Sequence, residues 1–144
     1  MLNLDTHILL HALTGELTAK ETRLLGADTW SISAIVLWEI AKLAQLGRID
    51  VDLDSVELTR ALARVHTWPI TLEICRALRT LDFRGDPADE LIAATSIVHR
   101  LPLVTRARVL RKSRRVFRAI STVRRSTGAS RRTPSFPASK SSGA

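Results

Sequence analysis

Apolar and polar positions follow two different periods along this chain. Short apolar runs typical of β-strands alternate with longer segments in which apolar residues recur every three or four positions, as in helices that bury one face. The predicted strands cover residues 2–4, 30–33, 67–70 and 101–105. The predicted helices cover residues 6–14, 18–26, 33–46, 55–65, 71–80 and 86–99. This alternation predicts an α/β fold, a three-layer α/β/α sandwich with a parallel sheet of four to five strands.

The end of the chain differs in composition from the rest. Residues 113–144 contain eight Lys and Arg residues and no acid, so they carry the whole formal net charge of +8. From Arg124 onward the segment is too poor in large apolar residues to offset the entropy lost on ordering. We therefore predict one folded domain, residues 1–116, followed by a basic tail, residues 117–144. Within this region, residues 113–120 would form a last strand or helix end, and residues after 120 would be disordered.

The compartment is predicted from what the sequence lacks. No apolar run approaches the roughly 18 residues of a membrane span, and the first residues have no basic stretch of the kind that opens a signal peptide. The single cysteine, Cys75, fits a reducing compartment and is expected to be a buried thiol. We expect a cytoplasmic protein that does not contact the membrane.

Two acids are candidates for a functional site, which a parallel α/β protein places at the carboxyl ends of its strands. Asp5 directly follows the first strand. It could cap the following helix, contribute to a site, or do both. Glu39 lies inside the helix predicted over residues 33–46, beside the apolar stripe. A buried carboxylate is costly there unless it is paired or bound to metal. The alternative is a side chain at the edge of the stripe that reaches solvent.

Three further acids, Asp86, Asp89 and Glu90, occupy the first turn of one helix. The positive end of a helix favours acids, so electrostatics alone could explain them. However, Ile92 and Ala93 lie three and four residues after Asp89, which places Asp89 on the packed face. We interpret Asp86 as the N-cap and Asp89 as a candidate ligand.

The histidines and tryptophans give no comparable signal. No pair of histidines has a spacing that indicates a metal site with confidence, and we expect them to pack or to lie on the surface. The tryptophans are scattered singly and are expected in the core. These residues are His7, His11, His66, His99, Trp30, Trp38 and Trp68.

Three segments, in order, resemble one known family: "LNLDTHILLHAL", "SISAIVLWEIAKLAQLGRI" and "GDPADELIAATSIVHRLPLVTRARVLRKS". They resemble PIN-domain toxins of the VapC type, the ribonuclease halves of bacterial toxin–antitoxin pairs, and the resemblance covers roughly residues 1–116. It implies a PIN-like fold and a pocket of carboxylates that holds Mg²⁺ or Mn²⁺. The residues that fall on the family's metal-binding and catalytic acids are Asp5, Glu39 and Asp89. The expected supporting residues are Thr6, Asp86, Thr105 and Arg106.

The resemblance also implies a reaction and partners. A metal-activated water would attack an RNA phosphodiester and leave a 5′-phosphate and a 3′-hydroxyl. The implied partners are a cognate antitoxin and a second copy of the chain. The basic residues Arg114, Arg115, Arg124 and Arg125 are expected to contact RNA. The family's fourth acid usually follows Thr-Arg, and here that position is Ala107.

Ala107 leaves alternatives open. The chain could be a metal-dependent endoribonuclease, or a weak or inactive PIN protein that still binds antitoxin and RNA. A nucleic-acid-binding module that depends on the basic tail is a further reading. A receiver-like signalling domain is disfavoured because it would need paired acids after the first strand and a Lys after the last, and the sequence has neither.

Overall fold

A computed structural model describes residues 1–117 of the chain. The strands are β1 (Leu2–Leu4), β2 (Trp30–Ser33), β3 (His66–Trp68) and β4 (Leu103–Val104). The helices are α1 (Thr6–Thr14), α2 (Ala19–Gly26), α3 (Ala34–Gln45), α4 (Val56–Leu62), α5 (Leu72–Ala77), α6 (Pro87–His99) and α7 (Arg108–Lys112). A 3₁₀ turn, Leu78–Thr80, continues α5. The predicted tail beyond residue 117, with Arg124 and Arg125, lies outside the described residues.

The four strands form one parallel sheet in the order β3-β2-β1-β4. Asn3 of β1 lies opposite Ser31 of β2 on one side and Leu103 of β4 on the other. Every residue of β1 and β2 is buried, because helices cover both faces of the sheet. The predicted three-layer α/β/α fold is therefore confirmed, with four strands in the described part of the chain.

Small side chains let α6 lie close to the sheet. Ala93 and Ala94 are completely buried. The side-chain amide of Asn3 donates to Oγ of Ser96 at 2.8 Å and to the carbonyl oxygen of Ile92 at 3.3 Å. This direct link between the central strand and α6 fixes the helix along its length, and with it the acids in its first turn.

Local capping explains where several helices begin and end. The Ser55 side chain accepts a hydrogen bond from the backbone N–H of Leu58, so Ser55 is the N-cap of α4. After α3, Gly47 adopts a φ of 69°, a left-handed conformation that favours glycine. The backbone N–H of Arg48 then donates to the carbonyl oxygen of Leu43 at 2.9 Å. Together with the bond from the backbone N–H of Gly47 to the carbonyl oxygen of Ala44, at 3.1 Å, this bond forms a Schellman motif, in which a glycine ends the helix.

The last part of the domain differs from the prediction. β4 has two residues rather than the five predicted, and α7 was not predicted at all. α7 is only five residues long, and its N-cap residue, Ala107, makes no side-chain capping bond, so the sequence lacks a start signal there. Residues 113–117 form neither a helix nor a strand, although the backbone N–H of Leu103 donates to the carbonyl oxygen of Phe117 at 2.7 Å.

Two predictions of burial were wrong. Trp38, which was expected in the core, is 55% exposed. α3 packs mainly through Val36 and Ile40, and these two residues are nearly inaccessible. Cys75 is also exposed, because α5 buries the neighbouring Ile74 instead. Within residues 1–117 no helix combines the length and apolar character needed to cross a membrane.

Candidate active site

Asp5 is the most deeply buried acid of the predicted site. It follows β1 at the centre of the sheet and is 2% exposed. Although it stands at the N-cap position of α1, its side chain makes no capping bond. Instead, its Oδ2 accepts a hydrogen bond of 2.5 Å from Oγ1 of Thr105. No Lys or Arg in residues 1–117 forms an ion pair with it, so its charge lacks a cationic partner there.

The Thr105 hydroxyl is held from two sides. It donates to Asp5 and accepts from the backbone N–H of Ala107 at 3.0 Å. The backbone at the start of α7 thus orients a hydroxyl that in turn orients the buried carboxylate. Ala107 occupies the N-cap position of α7 and offers no side-chain acceptor, at the position where the resemblance implies a fourth acid.

The predicted acids influence one another at the start of α6. Burial, followed by the negative charges of Asp5, Glu39 and Asp86, raises the pKa of the half-buried Asp89 to about 6. The structure thus brings Asp89 within electrostatic reach of the other two predicted ligands. His7, on α1, acts in the opposite direction and lowers the pKa of Asp89.

His7 is a residue that the sequence analysis assigned only to packing or the surface. The available signal was its position two residues after Asp5, at the start of the helix that follows the central strand. It is exposed at the edge of the acid cluster.

Asp86 and Glu90 serve the start of α6. Oδ1 of Asp86 accepts from the backbone N–H of Ala88 at 2.9 Å, which confirms Asp86 as the N-cap. Oε1 of Glu90 accepts from the backbone N–H of Gly85 at 3.2 Å. By contrast, no hydrogen bond within residues 1–117 engages the Asp89 carboxylate. Of the three acids in this turn, Asp89 is the one whose oxygens are available.

Arg106 is engaged away from Asp5. Its Nε and Nη2 each donate at 2.7 Å to the two carboxylate oxygens of Glu21 on α2. These bonds hold the pKa of Glu21 at about 2. Arg106 therefore ties the segment after β4 to α2, and its support of the acid cluster stays a prediction. Arg114 and Arg115 are exposed, as an RNA contact requires.

The donor chemistry of the cluster suits a hard divalent cation. All its candidate ligands are oxygens, the kind that Mg²⁺ and Mn²⁺ prefer. The hydroxyl of Thr6, next to Asp5, is buried and has no hydrogen-bond partner in the described structure. Among residues 1–117, however, no three His, Cys, Asp or Glu side chains are arranged to hold a metal ion. The acids interact electrostatically but are not preassembled, so binding a cation would require them to move closer together.

The fold and the site together define a class: a parallel α/β domain with an acidic cluster at the carboxyl edge of its sheet. Residues 3–115 match the PIN domain, and the chain belongs to the PIN-domain family. This confirms the family resemblance of the sequence.

Individual relatives point in the same direction. Over 91 residues, which are 61% of this chain and 70% of the relative, the chain is 40% identical to Ribonuclease VapC22 of Mycobacterium tuberculosis. A toxin–antitoxin complex from Klebsiella pneumoniae matches with a TM-score of 0.56 and 22% identity, over 74% of this chain and 87% of that one. VapBC2 from Rickettsia felis, bound to a DNA fragment from its promoter, matches with a TM-score of 0.60 and 19% identity, over 81% and 96%. At these identities the two solved structures establish the fold.

Proposed function

We propose that this chain is a Mg²⁺- or Mn²⁺-dependent endoribonuclease, the toxin of a toxin–antitoxin pair. The observation that carries the proposal is the Asp5 carboxylate, buried at the end of the central strand with no cationic partner among residues 1–117. A buried charge is costly, and a bound cation would compensate it. The 40% identity to a protein named as a VapC ribonuclease supports the choice of RNA as substrate.

Each side chain would have a distinct task. Asp5, Glu39 and Asp89 would hold the cation. When bound, a divalent cation activates water and stabilises the charge that develops on a phosphodiester under attack. Thr105 would keep the Asp5 carboxylate in one orientation, as partners beyond the ligands commonly do in metal sites. Asp86 would fix the first turn of α6, and so the position of Asp89, through its capping bond.

Protonation of Asp89 should compete with this function. With a pKa of about 6, the Asp89 carboxyl is neutral in acid and ionised above neutrality. Only the ionised form is a good ligand for a hard cation, so cation binding would release a proton. Affinity for Mn²⁺ should therefore weaken as the pH falls through about 6.

The same uncompensated charge suggests how an antitoxin would inhibit the protein. A basic side chain placed against Asp5 and Asp89 would supply the missing positive charge and block substrate. The structural neighbour from Klebsiella pneumoniae is a toxin–antitoxin complex, and the one from Rickettsia felis is VapBC2. Co-expression of the chain with the product of the neighbouring reading frame should give a complex that purifies together. Separate elution of the two proteins would count heavily against this partner. We further propose a homodimer, for which the check is light scattering of the purified protein.

One observation favours a second candidate, a weak or inactive PIN protein that still binds antitoxin and RNA. Ala107, whose backbone N–H donates to the Thr105 hydroxyl, has only a methyl side chain at the position of the expected fourth acid. A carboxylate missing there could leave a pocket that binds a cation weakly.

Paired assays separate these candidates. RNA cleavage is measured with Mn²⁺ or with EDTA, and Mn²⁺ binding is measured by calorimetry. The variants are Asp5→Asn and Glu39→Gln, with Asp50→Asn and Glu57→Gln as matched controls at exposed acids outside the cluster. The endoribonuclease proposal expects the first pair to lose both cleavage and Mn²⁺ binding, and the controls to keep both. Binding of RNA without cleavage, together with cleavage gained by Ala107→Asp, would favour the second candidate.

A further inference from the structure

A cavity of about 310 Å³ lies between α2, β4 and α7, separate from the acid cluster but next to it. Thr105 belongs to both: it lines the cavity, and its hydroxyl holds the Asp5 carboxylate. A molecule bound in the cavity could therefore contact Thr105, the residue that also holds the Asp5 carboxylate of the candidate metal site. The volume is at the lower end of the range for small-ligand pockets, which suits a group the size of one nucleotide.

The charges around the cavity favour an anion. Lys20, Arg106 and Arg111 line it, and Glu21 is the one acid among the described lining residues. Arg106 and Glu21 neutralise each other through their paired hydrogen bonds. Lys20 and Arg111 are exposed and have no acidic partner in residues 1–117. Two uncompensated positive charges remain to attract a negatively charged group.

Apart from two threonines, the rest of the lining is apolar, and it includes an aromatic ring. Leu24, Leu103 and Val116 form part of the wall, and Phe117 lies beside them with 50% of its surface exposed. An exposed phenyl ring at the border of a basic pocket is a surface on which a nucleic-acid base can stack. Positive charge next to an exposed aromatic ring matches the two parts of a nucleotide.

We propose that this cavity binds one nucleotide of an RNA strand adjacent to the bond that is cleaved. Its phosphate would contact Lys20 and Arg111, and its base would pack against Phe117. The identity of the strand as substrate rests on the proposed function, whereas binding itself does not require cleavage. The chain's own continuation is a poor occupant, because residues 118–144 carry six Lys and Arg residues and no acid. An acidic peptide would satisfy the charges but would gain little from the ring.

The test measures binding of a short fluorescent single-stranded RNA to the full-length protein in EDTA, by anisotropy at low and high salt. Arg111→Ala should weaken binding several-fold at low salt and reduce the salt dependence by about one counterion, because it removes one phosphate contact. Phe117→Ala should weaken binding about tenfold at both salt concentrations, since stacking depends little on salt. Phe117→Trp should restore it. Arg60→Ala, an exposed arginine on α4, serves as the matched control and should leave binding unchanged.

Metal-dependent cleavage by the parent protein is measured in parallel. If the parent cleaves RNA but Arg111→Ala and Phe117→Ala bind it as the parent does, the nucleotide site is wrong while the proposed function stands. If the Arg111 variant loses affinity, the Phe117 variant does not, and an oligoglutamate peptide displaces the RNA, the cavity is a site for acidic peptide and the proposal is overturned. If the parent neither binds nor cleaves RNA, both proposals fail.

Discussion

Replacing Asp89 with Asn should make the metal-free protein more stable at neutral pH. In the folded state the Asp89 pKa is raised from 3.8 to about 6, first by burial and then by the charges of Asp5, Glu39 and Asp86. The folded protein therefore binds more protons than the unfolded chain between these two values. It follows that the free energy of unfolding falls as the pH rises from about 4 to about 6, and that the full penalty is present above pH 6.

The size of the penalty follows from the same values. A pKa raised from 3.8 to about 6 corresponds to at most about 3 kcal/mol. Because Asp89 is only half-buried, screening by solvent reduces this to about 1 kcal/mol. The Asn side chain is uncharged and nearly the same shape, so Asp89→Asn should recover about that amount at pH 7.5. It should recover almost nothing near pH 4, where Asp89 is itself neutral.

A divalent cation should reverse which of the two proteins, the parent or Asp89→Asn, is the more stable. At a Mn²⁺ concentration about 100 times the dissociation constant, a cation that binds only the folded parent adds about 2.7 kcal/mol. The variant lacks a ligand and should gain much less. Without metal the variant is then the more stable protein, and with Mn²⁺ the parent is.

Urea denaturation at two pH values, in EDTA or in Mn²⁺, tests this crossing. The midpoint should shift while the slope stays constant, as for a change in stability alone. Asp50→Asn, at an exposed acid, is the control and should shift neither curve. If Asp89→Asn destabilises the metal-free protein at pH 7.5, the repulsion inferred for this cluster does not exist. If Mn²⁺ stabilises the parent and the variant equally, Asp89 is not a ligand.

Three further changes test the surroundings of the site. Thr105→Val removes the hydroxyl that holds Asp5 and should weaken Mn²⁺ binding by about tenfold in calorimetry; unchanged affinity would show that this hydrogen bond does not prepare the carboxylate. Ala107→Asp should raise the cleavage rate at saturating Mn²⁺. It should also add about 1 kcal/mol to the free energy of unfolding, because Asp can cap α7. A gain in thermal stability without a change in the cleavage rate would show that this position affects folding alone. Arg106→Ala should lower stability slightly at pH 7, because exposed ion pairs contribute little. Because the Glu21 pKa is lowered from 4.5 to about 2, this contribution is lost as the pH falls from about 4.5 to about 2. The melting temperatures of the parent and the variant should therefore converge in acid. A constant difference between them would contradict the pairing.

Sequence patterns predicted those helix ends and strands that depend on residues within a few positions of one another. Ser55 and Gly47 fixed helix ends because a cap acts within a few residues. Asp86 was separable from Asp89 because a helical turn gives neighbouring acids different directions. Burial was less predictable: Trp38 is apolar, yet it projects from the face of α3 that the neighbouring helices and strands do not cover.

The candidate site was predictable as a set of acids but not as a geometry. The sequence indicated Asp5, Glu39 and Asp89 separately, from their positions relative to strands and packed faces. The family resemblance named Thr105 as a supporting residue, but it could not indicate which acid Thr105 would hold, because that contact depends on how β4 packs beside β1. It also could not show that Arg106 would pair with Glu21, because an exposed arginine can reach several acids in the folded state.

The contact between Thr105 and Asp5 joins residues 100 positions apart, near opposite ends of the domain. Ribosomes make the chain from its N-terminus, so Asp5 emerges long before the strand that completes its surroundings. β1, although the first strand made, has β2 on one side and the last-made β4 on the other. Pairing over such a separation also forms slowly, because a long loop must close first. A nascent chain of this protein therefore lacks the folded geometry of its acids until the whole domain has been synthesised, and any activity that depends on those acids can begin only after translation of the domain.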